Sequence, residues 1–374
     1  MRSLIALTAA AASAAPALAQ TPTFNDVVYA TVLRDDGAPM PVRLDVYWNN
    51  NTAPASPSPC VVWIHGGGWR QGTHDGLPTF VRQLLARGVV VASVEYRLSG
   101  EAIFPAQIHD VKGAIRHLKR NAGTYRIDPA RIGAWGSSAG GHLSALLLLS
   151  NNNFAAEGVV GGGGLPRATI RAAVDYFGPS DIINMNPDVT TPPGSAIDHD
   201  APDSPESRLI GYDGPNEGVG VLRANQNNPN PPFPALMNLI TLASPLAHVD
   251  PRDLRLFIAH GLNDVVVPLK QSTKLFDALQ AVGADPVLLE VADAGHGALG
   301  VQTDAAAQDF LIAELTRCLP DLNRDDVVDD ADFVRFALSY NALFDARADF
   351  NGDGLADDAD FVIFATAYNQ LSCP

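Results

Sequence analysis

Apolar and polar residues alternate through Val27–Leu33 and again through Val42–Trp48. That two-residue period marks half-buried strands, and the two stretches read as an antiparallel edge pair. Mostly apolar runs of strand length follow at Val61–Ile64, Val89–Val94, Arg131–Trp135, Ile170–Phe177, Leu254–Ala259 and Val287–Val291. Runs without alternation belong to strands covered on both faces. Between them the period lengthens. Pro105–Arg120 carries Ile108, Val111, Ile115 and Leu118 at helical spacing, and Gly140–Ser150, Lys270–Val282 and Ala305–Cys318 also read as helices. Strands alternating with helices predict an α/β fold with a mainly parallel sheet between two helical layers. Residues 185–245 break the rhythm. They are rich in Pro, Asn and Gly and show few periodic stretches. A loop this long inside a compact domain is usually functional, so it is expected to pass over the site and shape a substrate pocket. The alternative is a disordered surface insertion.

A chain of 374 residues, 47% hydrophobic and 18% charged, suits one large domain plus a module. Residues 1–19 read as an export signal. Arg2 gives the positive start, Leu4–Ala15 the apolar run and Ala17-Leu18-Ala19 the cleavage site, leaving Gln20 first and the protein secreted or at the cell surface. The apolar run is too short for a membrane anchor, and no later stretch qualifies as a span. The domains expected after the signal are 20–317 and 318–374. The net charge is −16, and residues 318–374 hold twelve Asp against three Arg. An acidic chain with no basic stripe argues against nucleic acid as a partner. Cys318 and Cys373 flank the acidic end, which predicts a disulfide in an oxidising compartment. Cys60, ahead of an apolar strand, reads as a buried thiol.

Four short segments bear the chemistry. In chain order they are His65-Gly66-Gly67-Gly68-Trp69, Gly136-Ser137-Ser138-Ala139-Gly140, Gly261-Leu262-Asn263-Asp264 and Gly295-His296-Gly297. This is the order oxyanion loop, nucleophile, acid and base of an α/β-hydrolase. Ser138 between two glycines, after a strand and before an apolar helix, fits a strained turn that lifts its hydroxyl clear of the sheet. The amides of Gly67, Gly68 and Ala139 are the expected oxyanion donors. A phosphate-binding glycine loop is the competing reading, but Trp69-Arg70-Gln71-Gly72 supplies neither the helix start nor the Lys or Ser/Thr it needs. Among nine histidines, His296 alone lies in a short glycine-flanked loop after the last core strand. His65 is expected to brace the oxyanion loop, His142 to be structural, and His260 to end the strand before the acid. Asp264 is the expected orienting carboxylate. Asp293, only three residues from His296, is the rival. Ser138 then attacks an acyl carbon, His296 shuttles the proton and Asp264 fixes the imidazole tautomer. A serine peptidase on the same fold, or a non-catalytic surface-assembly protein, is the alternative.

The elbow extended as Trp135-Gly136-Ser137-Ser138-Ala139-Gly140-Gly141-His142, the oxyanion segment, Glu95-Tyr96-Arg97-Leu98, and Phe104-Pro105-Ala106-Gln107 followed by Asp110-Val111 carry a resemblance. Together with Glu206-Ser207-Arg208-Leu209-Ile210-Gly211 and Ala243-Ser244-Pro245, they make residues 25–317 similar to α/β-hydrolase esterases. The related groups are the bifunctional acetylxylan/feruloyl esterases and the hormone-sensitive-lipase group. The resemblance implies a serine carboxylesterase acting without a cofactor on acetyl or feruloyl esters of polysaccharides. The stretch 212–240 is longer and richer in Pro and Asn than that group leads one to expect.

The acidic end repeats itself. Asp321, Asn323, Asp325, Asp329 and Asp332 recur 28 residues later as Asp349, Asn351, Asp353, Asp357 and Asp360. These are positions 1, 3, 5, 9 and 12 of a calcium loop, with the Val327 and Leu355 carbonyls at position 7. Each loop leads into an apolar helix: Phe333, Val334, Phe336, Ala337 and Tyr340, then Phe361, Val362, Phe364, Ala365 and Tyr368. Such paired units resemble dockerin modules, which use Asp at position 12. The resemblance implies two Ca²⁺ ions and docking to a cohesin-like partner or cell-surface scaffold. Asp326 stands at position 6, where Gly usually turns the loop, so the first site is expected to be the weaker. A bridge and bound ions are the expected staples for so small a core.

Overall fold

Short runs of buried residues build the sheet. The computed structural model describes residues 2–4 and 21–370, apart from 152, 165, 190–193, 251–254, 326 and 341–346. The strands are β1 (Arg2–Leu4), β2 (Phe24–Leu33), β3 (Pro39–Tyr47), β4 (Ser58–Ile64), β5 (Val90–Val94), β6 (Ile127–Ser137), β7 (Ala172–Tyr176), β8 (Arg255–Gly261) and β9 (Val287–Val291). They lie in the order β1-β9-β8-β7-β6-β4-β5-β3-β2. β2 and β3 pair antiparallel, as do β3 and β5. Every other pairing is parallel. β1 falls within the expected export signal, whose residues 5–19 lie outside the described residues.

β5 and β7 are buried at every position, because helices cover both faces. Helices Ala106–Arg120, Ala139–Leu149 and Leu269–Ala281 contribute Ile108, Leu143 and Leu275 to one core layer. Helices Thr79–Ala86 and Val301–Thr316 contribute Leu84 and Leu311 to the other. Among the described residues no helix is long and apolar enough to cross a membrane. The Tyr96-Arg97 and Asp110 motifs brace this frame: Arg97 Nε and Nη2 donate to the two carboxylate oxygens of Asp110, each at 2.7 Å.

Register brings the chemical segments together. Ile64 lies beside Gly136, Ser137 beside Tyr176, Tyr176 beside Ala259, and Gly261 beside Val291. The loops after β4, β6, β8 and β9 therefore leave from one edge of the sheet, the carboxyl ends where α/β proteins build their sites.

The stretch 185–245 is more regular than its composition predicts. It contains helices Pro205–Ile210, Val219–Ala224 and Phe233–Ala243. Local capping explains the first: Ser204 accepts from the Ser207 amide, Pro205 opens the helix, and Gly211 closes it at φ 69°. Phe233–Ala243 is apolar on nearly all sides, so it carries no polar stripe for a periodicity to reveal.

The acidic end gathers a small core of its own residues, joined by Ala130 of β6. Helices Asp330–Tyr340 and Asp358–Gln370 stack Phe336 on Phe364 with ring centres 5.1 Å apart. The duplication shows in space: Tyr340 donates to Asp358 and Tyr368 to Asp330, both at 2.5 Å. Cys318 is disulfide-bonded and Cys60 is a free buried thiol. Cys373, the expected partner of Cys318, and Asp326 lie outside the described residues.

Candidate active site

β6 ends in a turn that few residues tolerate. Ser138 sits at φ 56°, ψ −123° and starts the helix Ala139–Leu149. A Cβ on Gly136 would come within 2.1 Å of the Gly140 carbonyl oxygen, and one on Gly140 within 2.0 Å of that of Ile64. Both glycines are required by close backbone approach, which is why the pattern around Ser138 is local and legible.

The turn delivers Ser138 Oγ to 2.9 Å from His296 Nε2, and His296 Nδ1 lies 2.8 Å from Asp264 Oδ2. The amides of Val266 and Val267 donate to Asp264 Oδ1 at 2.7 and 2.9 Å. Burial alone raises the Asp264 pKa, but bonding to His260 and His296 outweighs it, and the carboxyl is held well below the usual range. Asp264 therefore stays ionised. Asp293 is exposed.

His260 has more than its expected place at a strand end. Its Nε2 lies 3.3 Å from Asp264 Oδ2 and 3.0 Å from the Val267 carbonyl oxygen, and its Nδ1 lies 2.7 Å from Ser272 Oγ. It thus buttresses the acid from behind. Phe177, with its ring centre 4.6 Å from that of His296, does the same for the base. Sequence reasoning missed both roles, since neither follows from chain spacing.

The Gly67, Gly68 and Ala139 amides border the same cavity as Ser138 and His296. None of the three donates to a protein acceptor among the described residues. Ala139 is the first residue of its helix, so its N–H has no intrahelical partner. Free donors at a helix start, beside a serine hydroxyl, suit a developing oxyanion. Gly66 holds the loop close: a Cβ there would lie 2.7 Å from the Ser137 carbonyl oxygen and 3.3 Å from Ser138 Cβ.

His65 and His142 brace this arrangement. His65 stacks on Tyr96 at 4.3 Å, and burial lowers its pKa to about 4. His142 is fully enclosed and also lowered to about 4 by burial. As a neutral ring it accepts from Trp69 Nε1 at 3.1 Å and donates from Nε2 to the Ala243 carbonyl at 2.7 Å. One imidazole thereby joins the oxyanion loop, the elbow helix and the last helix of the 185–245 excursion.

The cavity has a volume of about 410 Å³. Phe177, Pro179, Ile197, Val266 and Val267 give it apolar walls, while His199 and Glu206 add a buried imidazole–carboxylate pair. Residues of the 185–245 excursion thus do line the pocket.

For a cation, carboxylate oxygens of Asp321, Asp325 and Asp332 lie within 4.8 Å of one another, a donor set that fits Ca²⁺. Asp332 and Asp360 occupy matching places: each accepts two amides on Oδ1 and one on Oδ2. In the second loop Asp349 turns to the larger unit. Thr169 Oγ1 donates to its Oδ2 at 3.4 Å, with Lys119 and Arg171 as the neighbouring cations. Burial nevertheless raises its pKa.

Known proteins share the sequence and fold of this chain. Residues 44–279 match the BD-FAE family. Esterase LipC of Mycobacterium tuberculosis is 29% identical over 260 residues, 69% of this chain and 57% of LipC. The chain therefore spans little more than half the length of that relative. Among solved structures, a truncated carbohydrate esterase from gut microbiota superposes with a TM-score of 0.63 at 29% identity, over 80% of this chain and 98% of that one. A bifunctional GH43-CE protein of Bacteroides eggerthii gives 0.62 at 31% identity, over 78% of this chain and 35% of its own.

Proposed function

The chain belongs to the BD-FAE family of α/β-hydrolase esterases, and on that premise we propose that it is a secreted serine carboxylesterase cleaving acetyl or feruloyl esters on polysaccharides. The observation that supports this most is the relay from Ser138 Oγ through His296 to Asp264, beside three amides with no protein acceptor among the described residues. The carbohydrate assignment draws on the solved carbohydrate esterase that this chain resembles.

The chemistry follows from those atoms. The ester carbonyl oxygen enters the space beside the Gly67, Gly68 and Ala139 amides. Ser138 Oγ bonds to the carbonyl carbon as His296 Nε2 takes its proton. The resulting oxyanion is stabilised by donors worth roughly 2.7–4 kcal/mol each. His296 then gives the proton to the departing alcohol oxygen, the C–O bond breaks, and an acyl-Ser138 ester remains. Water repeats the sequence, with its proton passing through His296, and releases the acid. Asp264 stays charged throughout, fixes the proton on Nδ1 and stabilises the imidazolium.

The C-terminal unit serves in this reading as a dockerin-like module for a cohesin-like or surface scaffold. Its carboxylate loops would hold two Ca²⁺ ions, which supply positive charge at the clustered aspartates. A substrate panel tests the main proposal. p-Nitrophenyl acetate and acetylated xylan should be hydrolysed and a peptide amide left intact; cleavage of the amide alone would contradict it.

A further inference from the structure

Glu206 and His199 face the active-site cavity and play no part in the acyl-transfer steps. Glu206 is 2% exposed and His199 1%, yet both belong to the cavity lining. His199 Nδ1 lies 3.0 Å from Glu206 Oε2. That contact is misaligned for a hydrogen bond, and although the Val266 backbone lies beside the His199 ring, Glu206 Oε2 and both ring nitrogens find no aligned partner among the described residues. Burial pushes the His199 pKa down, but Glu206, the Val266 backbone and Asp198 together outweigh this and the net shift is upward, favouring the protonated ring.

A charged pair taken out of water is unfavourable unless its remaining lone pairs and protons are satisfied. A pair that only braced the fold would have them occupied by protein groups, as His142 and His260 do. The position is also specific. Glu206 follows Pro205, whose Cβ lies 3.4 Å from where a Cβ on Gly68 would stand. The helix Pro205–Ile210 thus starts against the oxyanion loop and brings Glu206 with it. The same cavity is also lined by the apolar side chains of Phe177, Ile197 and Val266.

We propose that Glu206, held in place by His199, accepts a hydrogen bond from a hydroxyl on the alcohol portion of the substrate. The site then selects esters of polyhydroxylated alcohols, sugars foremost, over simple aryl or alkyl esters. Glu206 is the group that touches substrate; His199 is a positioning residue. This rests on the esterase reading above and adds to it the recognition element for the sugar. Sites that bond a substrate hydroxyl discriminate strongly, because a ligand lacking it leaves buried polar groups unpaired.

The test compares kcat/KM for an acetylated methyl xyloside with that for p-nitrophenyl acetate, in the full chain and in Glu206→Leu, Glu206→Gln and His199→Gln. The ratio of sugar ester to aryl ester should fall at least about tenfold in Glu206→Leu and several-fold in the other two, chiefly through KM for the sugar ester. Should Glu206→Leu fail to fold by circular dichroism, the two Gln variants decide. A ratio within twofold of the parent's in every folded variant overturns the inference. So does a parent enzyme that cleaves the aryl ester and ignores the sugar ester, which leaves the esterase reading standing. A parent that cleaves neither ester overturns both.

Discussion

At the scale of residues, ionisation is set by burial and decided by partners. Asp264 is buried but surrounded by donors, so it remains charged and can polarise His296. Asp264→Asn keeps the shape and presents the wrong hydrogen-bonding pattern to Nδ1. It should lower kcat on p-nitrophenyl acetate by about 10³–10⁴-fold with little change in melting temperature. A loss under tenfold would remove Asp264 from its role. Asp175 is the opposite case. It lies near the end of β7, accepts only the Gly178 amide, at 2.8 Å, among the described residues, and burial raises its pKa to about 7. The folded state keeps the Asp175 proton up to that pH, whereas the unfolded chain loses it near 4. Stability should therefore fall as pH rises between about 4 and 7, by an amount on the order of 4 kcal/mol for a shift of this size. Asp175→Asn removes that dependence. The melting temperature of the variant relative to the parent should climb from pH 4.5 to pH 8, and a pH-independent difference would contradict the assignment.

At the scale of elements, the site is a meeting of strand ends with backbone turns of strict geometry. The oxyanion loop depends on contact between Gly66 and the elbow. Gly66→Ala sets a methyl group 2.7 Å from the Ser137 oxygen and pushes the loop from Ser138. Loss of one donor predicts a fall in kcat of about 10²–10³-fold, with KM far less affected. A larger effect on KM than on kcat would show that the loop binds substrate rather than stabilising the oxyanion. The same strictness explains what could be read from the sequence. Ser138, Gly136 and Gly140 stand out because the turn forbids side chains at fixed neighbouring positions. His296 and Asp264 stand out because each follows a core strand. Strands β5, β7, β8 and β9 were legible as apolar runs. The helices of 185–245 were not. Two have six residues each, too short for periodicity, and Phe233–Ala243 has no polar stripe. Nor were His260 and Phe177 legible as supports, or the pairing of His199 with Glu206. These arise where separate segments meet, and no spacing along the chain encodes them.

At the scale of the molecule, a large hydrolase unit carries a small acidic one that is in contact with it. The second loop lies against residues before β7 and within β6. The Arg167 amide donates to the Asp353 carbonyl at 3.4 Å, and a Cβ on Gly352 would lie 2.5 Å from the Ala130 nitrogen. The core of the small unit rests on a few rings, among them Phe336, Phe350 and Phe364, while Val334, Leu338 and Val362 are exposed. So small a core needs staples, and in the proposed reading Ca²⁺ provides one. EDTA should lower its melting temperature and helicity, and added Ca²⁺ should restore both. Asp321→Ala should remove part of the Ca²⁺ response while the elbow chemistry persists. Melting indifferent to EDTA would contradict the calcium loops and leave the hydrolase unit's assignment intact.

The catalytic claim reduces to one nucleophilic oxygen. Treating the protein with a fluorophosphonate and mapping the adduct by mass spectrometry tests it directly. The account predicts one stoichiometric adduct on Ser138, abolished in Ser138→Ala together with hydrolysis of p-nitrophenyl acetate. An adduct on another residue, or ester hydrolysis that survives in Ser138→Ala, would contradict it.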